Sequence, residues 1–236
     1  MTRVRIIGPG RAGTSLHRAL RRAHWPVEPL LGRGDDPHAA ADGVDLVVIA
    51  TPDAAVAETA ARIAPRNDTV VAHLSGALGL AVLAEHPRAA VLHPLVALPD
   101  PERGADRLVG AWFALAVDGD PLVEAIVDEL HGRIVRVAEA DWPHHHAGAV
   151  VASNHLVALL GQVERIAAQV GVPLEAYLDL ARGALDDVAT LGPAAALTGP
   201  VRRGDAATVQ RHLDALPDSE RAAYRALASE AARLCP

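Results

Sequence analysis

A glycine-rich segment near the start of the chain, Gly8-Pro9-Gly10-Arg11-Ala12-Gly13, has the spacing of a phosphate-binding turn. It lies between the apolar run Val4–Ile7, a predicted strand, and the run Ala12–Ala23, a predicted helix. In such a turn the middle glycine lets a pyrophosphate approach the backbone, and the last lets the helix pack on the strand. We therefore predict that Gly8, Gly10, Arg11, Ala12 and Gly13 bind a dinucleotide. A vestigial fold with an empty crevice is the alternative.

The residue that follows the second predicted strand bears on the choice of dinucleotide. This strand, Val27–Leu31, is followed by Gly32-Arg33-Gly34, where an NAD-binding protein usually places an acidic side chain for the ribose 2′-hydroxyl. An arginine suits a 2′-phosphate instead, so Arg33 favours NADP(H). Alternatively, Arg33 is one solvated arginine among many, with Asp35 and Asp36 just beyond it.

Polar residues also follow the next three predicted strands. Thr51-Pro52 follows Leu46–Ala50, Ser75 follows Val70–Leu74, and His93 follows Ala90–Leu92. Ligands of open parallel sheets bind beyond the carboxyl ends of the strands, so we expect Thr51, Pro52 and Ser75 along the cofactor and His93 facing the substrate. The two hydroxyls could equally cap helices, and His93 could be a structural hydrogen-bonding residue.

A polar stripe interrupts an otherwise apolar helical stretch in the second half of the chain. On an ideal helix His146 and Ser153 lie about 20° apart, with Asn154 on the same broad face. We expect His146 to supply or relay a proton, Asn154 to orient a substrate carbonyl, and Ser153 to assist, with His93 as the competing donor. A metal site is disfavoured, because three consecutive histidines do not point one way and no carboxylate or cysteine completes a ligand set.

The last candidate is a polar turn, Leu197 to Asp205, that contains the pair Arg202 and Arg203. A guanidinium fork suits a carboxylate, so these arginines are candidates for binding a substrate carboxylate. The alternative is a solvated turn in which one of them pairs with Asp205.

These candidates need two kinds of scaffold. Up to about Val137 short β-branched runs alternate with Ala-rich helical stretches, a pattern typical of a mostly parallel sheet covered by helices. Pro99–Gly104 is expected to be a surface loop. After Ala138 only helical patterns follow. We predict an α/β fold with a nucleotide-binding domain over 1–138 and an all-α domain over 139–236.

Composition excludes several classes of function. All 22 basic residues are arginine, which removes lysine chemistry, and the net charge of -7 argues against a nucleic-acid or membrane-surface binder. The longest uncharged apolar stretch, Ala147–Val163, is shorter than the roughly 20 residues of a membrane span, and we interpret it as a buried helix. The single cysteine excludes a disulfide framework. With no signal-peptide pattern at the N-terminus, these features favour the cytoplasm.

Together, the glycine turn, Thr51-Pro52, His93 with its flanking Leu92 and Pro94, His146 with Ser153-Asn154, and the Arg202-Arg203 turn resemble a bacterial family of Rossmann-like oxidoreductases. That family has a helical C-terminal domain of formerly unknown function and is related to the phosphogluconate dehydrogenase and pyrroline-5-carboxylate reductase group. The resemblance covers nearly the whole chain. One departure is clear: in phosphogluconate-type relatives a lysine lies four residues before the helix asparagine, and Val150 stands there in this chain.

The resemblance implies an NADPH-dependent reductase of a small 2-keto acid, with ketopantoate in pantothenate synthesis as the first candidate. A cyclic imine such as pyrroline carboxylate is the second candidate, and a non-catalytic nucleotide sensor is the rival from another class. The family commonly pairs through its helical domain, and the apolar helical stretches Ala147–Val163 and Tyr177–Thr190 carry more apolar surface than a small domain hides. We therefore also predict a homodimer.

Overall fold

The computed structural model describes residues 2–235 and divides into two compact units at the bond between Ser153 and Asn154. The first unit extends beyond the domain boundary predicted near residue 138. It takes in the helix that begins at Trp142, a buried side chain that packs with Val91 and Ala114 of the sheet. The sequence-based domain limits stay a prediction.

Within residues 2–235, six strands form one sheet in the order β1 to β6, and the first four lie within one or two residues of the strands predicted at Val4–Ile7, Leu46–Ala50, Val70–Leu74 and Ala90–Leu92. Their bounds are β1 Val4–Ile7, β2 Leu46–Ile49, β3 Val70–His73, β4 Ala89–Pro94, β5 Trp112–Ala116 and β6 Arg133–Val137. All neighbouring strands run parallel except β4 and β5, which are antiparallel. The buried runs of β2 and β3 are apolar or β-branched on both faces, as expected where helices cover both sides of a sheet.

The predicted strand Val27–Leu31 is the exception. It makes only two isolated parallel bridges to β1, at Val27 and Leu31. The Glu28 amide donates to the Val4 carbonyl, and the Leu31 amide donates to the Ile6 carbonyl. Between these two hydrogen bonds the segment advances by three residues where β1 advances by two, so the pairing is irregular around Pro29, whose ring fixes φ. The chain still runs alongside β1 and delivers Arg33 to the same edge of the sheet.

Four helices and three 3₁₀ turns complete the α/β part of the first unit. The helices are α1 Arg11–Arg22, α2 Asp53–Arg62, α3 Pro101–Leu108 and α4 Glu124–Glu129, and the turns are Leu80–Leu83, Pro121–Val123 and Glu139–Asp141. The expected surface loop over Pro99–Gly104 is wrong, since α3 begins inside it. Asp100 caps that helix by accepting from the Glu102 and Arg103 amides, and Pro101 occupies its first turn.

The remaining chain is helical. It comprises α5 Trp142–Val150, a π-helical turn Val151–His155, α6 Leu156–Gln169, α7 Leu174–Leu191, α8 Pro193–Ala196, α9 Gly199–Arg202, α10 Ala206–Ala215 and α11 Asp218–Ala232. The α/β class with an all-α C-terminal part is confirmed. The interpretation of Ala147–Val163 as a buried helix is wrong for the single chain, because Val157 is 70% exposed and Val151 is 57% exposed.

Candidate functional site

Two of the three glycines in the turn between β1 and α1, Gly8 and Gly13, are required on steric grounds. Gly8 has a φ of +110°, and a Cβ there would lie 2.7 Å from the Ala50 carbonyl atoms. A Cβ on Gly13 would overlap the Gly8 carbonyl oxygen, whereas a Cβ on Gly10 would meet nothing within 4 Å. Gly8 and Gly13 therefore permit the close packing of the turn, and Gly10 leaves its outer side open at the amino end of α1.

A cavity of about 660 Å³ lies at the carboxyl ends of β1 and β2. Its lining includes Gly8 to Gly10, Thr51 and Arg33, as the sequence predicted, and also Arg62 at the end of α2. Arg33 is exposed. The Asp35 carboxylate accepts from the Gly32 amide at 2.6 Å and so holds the turn that carries Arg33. This cavity therefore combines an open backbone turn with two arginines.

A second cavity, of about 420 Å³, continues toward β3 and β4. It shares Gly10, Thr51 and Pro52 with the first cavity and adds Ser75 and His93 to its lining. The two cavities form one crevice across the strand ends. Arg11 and Ala12 also line the second cavity, so the residues predicted to bind the cofactor border the crevice, with the exception of the buried Gly13.

The two hydroxyls that could have been helix caps behave differently. Ser75 Oγ accepts from the Ala77 and Leu78 amides at 3.1 and 3.3 Å, so it does hold a local turn. Thr51 caps nothing: α2 has Pro52 at its N-cap, and the buried Thr51 Oγ1 has no hydrogen-bond partner among residues 2–235. A buried hydroxyl without a partner is costly, and Thr51 itself lies in the lining of both cavities.

Three imidazoles gather around Gly76 in the wall of the second cavity. A Cβ on Gly76 would lie 2.5 Å from Nε2 and Cε1 of His93 and 2.9 Å from Cδ2 of His146. Nδ1 of His93 lies 3.2 Å from Nε2 of His145. Since only glycine leaves room for these rings, Gly76 is a functional candidate that the sequence analysis missed. Its position directly after Ser75 was the available signal.

The environment of His93 keeps its ring neutral. Burial, reinforced by the neighbouring His145 and His146, lowers the pKa of His93 to about 4, against the weaker opposing effect of Asp53. Burial also lowers the pKa of His145, with His146 contributing, and burial lowers the pKa of His73. His93 is therefore a neutral hydrogen-bonding group at pH 7, which changes its possible chemistry from an imidazolium acid to an imidazole donor.

The predicted polar stripe is arranged differently from an ideal helix. The π-helical turn Val151–His155 changes the register, and π-helical turns of this kind are frequent at functional sites. Ser153 Oγ donates to the Ala149 carbonyl at 2.7 Å, and Asn154 is exposed in the single chain. The rings of His146 and His93 have centroids 6.1 Å apart, and of the two only His93 is in the lining of the second cavity. Asn154 belongs to the second unit.

The arginine pair of the second unit lies at the end of α9. Arg202 and Arg203 are both exposed. The alternative partner, Asp205, instead accepts from the amide and hydroxyl of Thr208, and no ion pair of Asp205 with either arginine is formed within residues 2–235. Both guanidinium groups are thus available to an anion.

Neither a metal site nor a membrane span is apparent in the described residues. Across residues 2–235, no group of three or more His, Cys, Asp and Glu side chains is placed to hold a metal ion. Within the same range, every helix is too short or too polar to cross a membrane.

Residues 115–231 match a family model described as a domain of unknown function, DUF2520. This part of the chain is therefore similar to that family, in agreement with the resemblance found in the sequence. The sequence has no significant match among curated proteins.

Solved structures with low sequence identity share the fold over nearly the whole chain. A Bacteroides fragilis protein assigned as an NADP oxidoreductase has a TM-score of 0.80 at 20% identity, with 98% of each chain covered. A reductive aminase from Aspergillus terreus, solved with NADPH and ethyl levulinate, has a TM-score of 0.73 at 15% identity, covering 99% of this chain and 94% of that one. Plasmodium falciparum pyrroline carboxylate reductase with NADP bound has a TM-score of 0.66 at 13% identity, covering 100% and 98%.

Proposed function

We propose that this protein is an NADP(H)-dependent reductase of a small carbonyl or imine compound. The observation that carries the proposal is the crevice across the ends of β1 to β4, in which an open glycine turn borders a continuous cavity that Thr51 and Ser75 also line. Structures with the same fold include a protein assigned as an NADP oxidoreductase, a reductive aminase and a pyrroline carboxylate reductase, which supports the same class of reaction.

We expect the two cavities to bind different parts of one dinucleotide. Gly10 and the first turn of α1 would hold the pyrophosphate, because amide groups at a helix N-terminus attract anions. Arg33 would bind the 2′-phosphate, and Arg62 lines the same cavity, held 3.8 Å from Asp36. Thr51 and Ser75 would lie along the part of the cofactor that reaches the second cavity. When bound, the reduced nicotinamide supplies a hydride.

The side chain best placed to act on a substrate oxygen or nitrogen is His93. It lines the second cavity, whereas His146 adjoins it across Gly76. A neutral imidazole donates a hydrogen bond to a carbonyl oxygen and stabilises the negative charge that develops when hydride reaches the carbon. The geometry therefore favours His93 over His146 as the donor, and His146 is assigned a supporting position.

The substrate itself is the finer part of the proposal. Ketopantoate is the first keto acid to test and pyrroline carboxylate the first cyclic imine. The assignment of Asn154 to the substrate carbonyl, of Ser153 to a relay, and of Arg202 and Arg203 to a carboxylate rests on the sequence. A homodimer through the second unit belongs to the same proposal, as does action on a small molecule in the cytoplasm.

Oxidation of NADPH in the presence of a panel of 2-keto acids and cyclic imines tests the proposed activity. We expect turnover with at least one compound, and we expect His93→Ala to lower kcat by about 100-fold or more, the usual contribution of a positioned proton donor. His144→Ala is the matched control, because His144 is exposed on the same helix as His145 and His146. Tight NADPH binding without turnover of any compound would favour the nucleotide-sensor alternative.

A further inference from the structure

We propose that His145 is a positioning residue that fixes the tautomer of His93, so that the proton of His93 sits on Nε2 at the cavity wall and is replaced through Nδ1. This inference rests on the proposed function for its chemistry. It does not rest on it for its geometry, which is a property of the protein alone.

The geometry joins the two rings at their inner nitrogens. His93 Nδ1 and His145 Nε2 lie 3.2 Å apart, and the rings meet edge to face at an interplanar angle of 83°. The opposite edge of His93, with Nε2, lies against Gly76 in the wall of the second cavity. One nitrogen of His93 therefore contacts His145 and the other faces the site.

The neutral state of both rings allows two arrangements of the hydrogens, and the proposed function requires one of them. Only one hydrogen can lie between Nδ1 of His93 and Nε2 of His145, so one ring donates and the other accepts. If His145 donates from Nε2, His93 must carry its own hydrogen on Nε2, where it can meet a substrate. The opposite arrangement would turn a lone pair of His93 toward the cavity and leave no donor there.

The position of His145 suits a supply of protons. Its ring packs against the buried Trp142, with centroids 5.4 Å apart, which holds the imidazole in place. His145 itself is only partly buried, so it can exchange protons with water, whereas His93 is more deeply buried. The pair thus links the cavity wall to solvent through two rings.

The proton transfers balance without any charged imidazole. As the substrate carbon gains a hydride, its oxygen takes the proton from His93 Nε2. In the same concerted transfer His93 takes a proton at Nδ1 from His145 Nε2, and His145 takes one at Nδ1 from the acid form of the solvent or buffer. The ring positions of the hydrogens are exchanged, and both rings remain neutral. After the product leaves, the reverse shift restores the starting tautomers: His93 takes a proton at Nε2 from solvent, returns its Nδ1 proton to His145 Nε2, and His145 releases its Nδ1 proton to solvent.

The test is NMR spectroscopy of the full chain labelled with ¹⁵N-histidine, at pH 7 and without cofactor. Long-range ¹H–¹⁵N correlations report which ring nitrogen of His93 is protonated. We expect the Nε2–H tautomer in the parent protein and a mixture of tautomers in His145→Ala. His145→Gln should restore the parent tautomer, because a glutamine amide still donates to Nδ1, and His144→Ala should leave it unchanged. Protonation of His93 at Nδ1 in the parent, or an unchanged tautomer in His145→Ala, would overturn the proposal.

Measurements of activity distinguish the positioning role of His145 from its role in supplying protons. With a compound turned over by the parent, His145→Gln keeps the tautomer of His93 but cannot pass a proton on. We expect its kcat to fall about tenfold or more with KM for NADPH unchanged, and added imidazole to restore kcat in His145→Ala. If the tautomer result holds but no compound is reduced, the proposed reductase function fails and the positioning role of His145 stands. If reduction proceeds at the parental rate in both variants, the replacement of the proton through Nδ1 is wrong.

Discussion

The two units of the chain differ in how much apolar surface each buries. In the first unit the sheet and its helices enclose large side chains such as Phe113, Leu92 and Ile49, which are essentially inaccessible. Among residues 154–235 only Gln162, Ala167, Leu213 and Glu220 are buried. The 18-residue helix α7 has no buried residue, and Leu180 on it is 70% exposed.

This difference shows which unit is complete in a single chain. The first unit encloses extensive clusters of buried apolar residues and also forms the crevice from its own strand ends. The helical unit leaves valines and leucines of α6 and α7 in contact with water, and burying such surface is favourable by roughly 25 cal/mol per Å². Exposed apolar patches of this kind mark protein interfaces, and a second copy of the chain is the partner we propose.

The largest expected effect is the separation of the proposed dimer into single chains. Light scattering of the parent protein should give about twice the chain mass of 24.6 kDa, and Leu180→Glu should reduce the mass to that of one chain. A buried carboxylate in an apolar interface is strongly unfavourable. Val109→Glu, at an exposed valine of the first unit, is the control and should leave the mass unchanged. A parent protein of single-chain mass at micromolar concentration would contradict the interpretation of the helical unit.

The next effect probes the core of the first unit. Phe113→Ala should lower the free energy of unfolding by about 3–5 kcal/mol, the usual cost of deleting a buried aromatic ring. Phe113 is 1% exposed within the main core cluster. Urea denaturation measures the change, with Val109→Ala as the control, for which we expect a change within about 0.5 kcal/mol. Equal losses for the two variants would mean that the first unit does not depend on its own core.

A pair of glycine substitutions separates folding from binding. Gly13→Ala forces a methyl group against the Gly8 carbonyl and should cost about 2 kcal/mol or more of stability. Gly10→Ala meets open space and should leave Tm nearly unchanged while it weakens NADPH binding. Thermal unfolding and a binding titration of both variants give the answer. Loss of stability in Gly10→Ala, or its full retention in Gly13→Ala, would contradict the steric roles assigned to the turn.

A smaller effect is expected in the pH dependence of stability. The pKa of His93 is about 4 in the folded chain, against 6.5 ordinarily, so the unfolded chain binds more protons between these values. Stability should therefore decrease as the pH falls from about 6.5 toward 4. His93→Gln should flatten this decrease, and His144→Gln should not. Unfolding midpoints measured across that range test the sign, and a steeper decrease in His93→Gln would reverse it.

The sequence predicted the elements whose signals are local. The glycine turn, the β-branched strands and the long helices were correct within a few residues, because steric and periodic signals are contained in short segments. Helix α3 was missed because its two prolines suggested a loop, although Asp100 and Pro101 are also a good helix start. The segment Val27–Leu31 pairs irregularly with β1 around Pro29. The sequence analysis gave this proline less weight than the apolar pattern of the segment.

The site was predictable where strands end and not where distant segments meet. Thr51, Ser75 and His93 lie together at one edge of the sheet because the carboxyl ends of parallel strands meet there. The contact between His93 and His145 joins β4 to α5, and no spacing in the sequence specifies which of three consecutive histidines turns toward the sheet. The π-helical turn near Ser153 likewise depends on backbone geometry that an ideal helix does not anticipate.

The most direct test of the account is calorimetric titration of the full chain with NADPH and with NADH. We predict saturable binding of one NADPH per chain, with a lower Kd than that of NADH. In Arg33→Ala the ratio of the two Kd values should decrease by about tenfold, the scale of one lost charged hydrogen bond. Arg103 is exposed, and Arg103→Ala should leave the ratio of the two Kd values unchanged. If neither nucleotide binds, the claim that the crevice holds a dinucleotide is contradicted. Equal affinities in the parent protein would contradict the assignment of Arg33 to the 2′-phosphate.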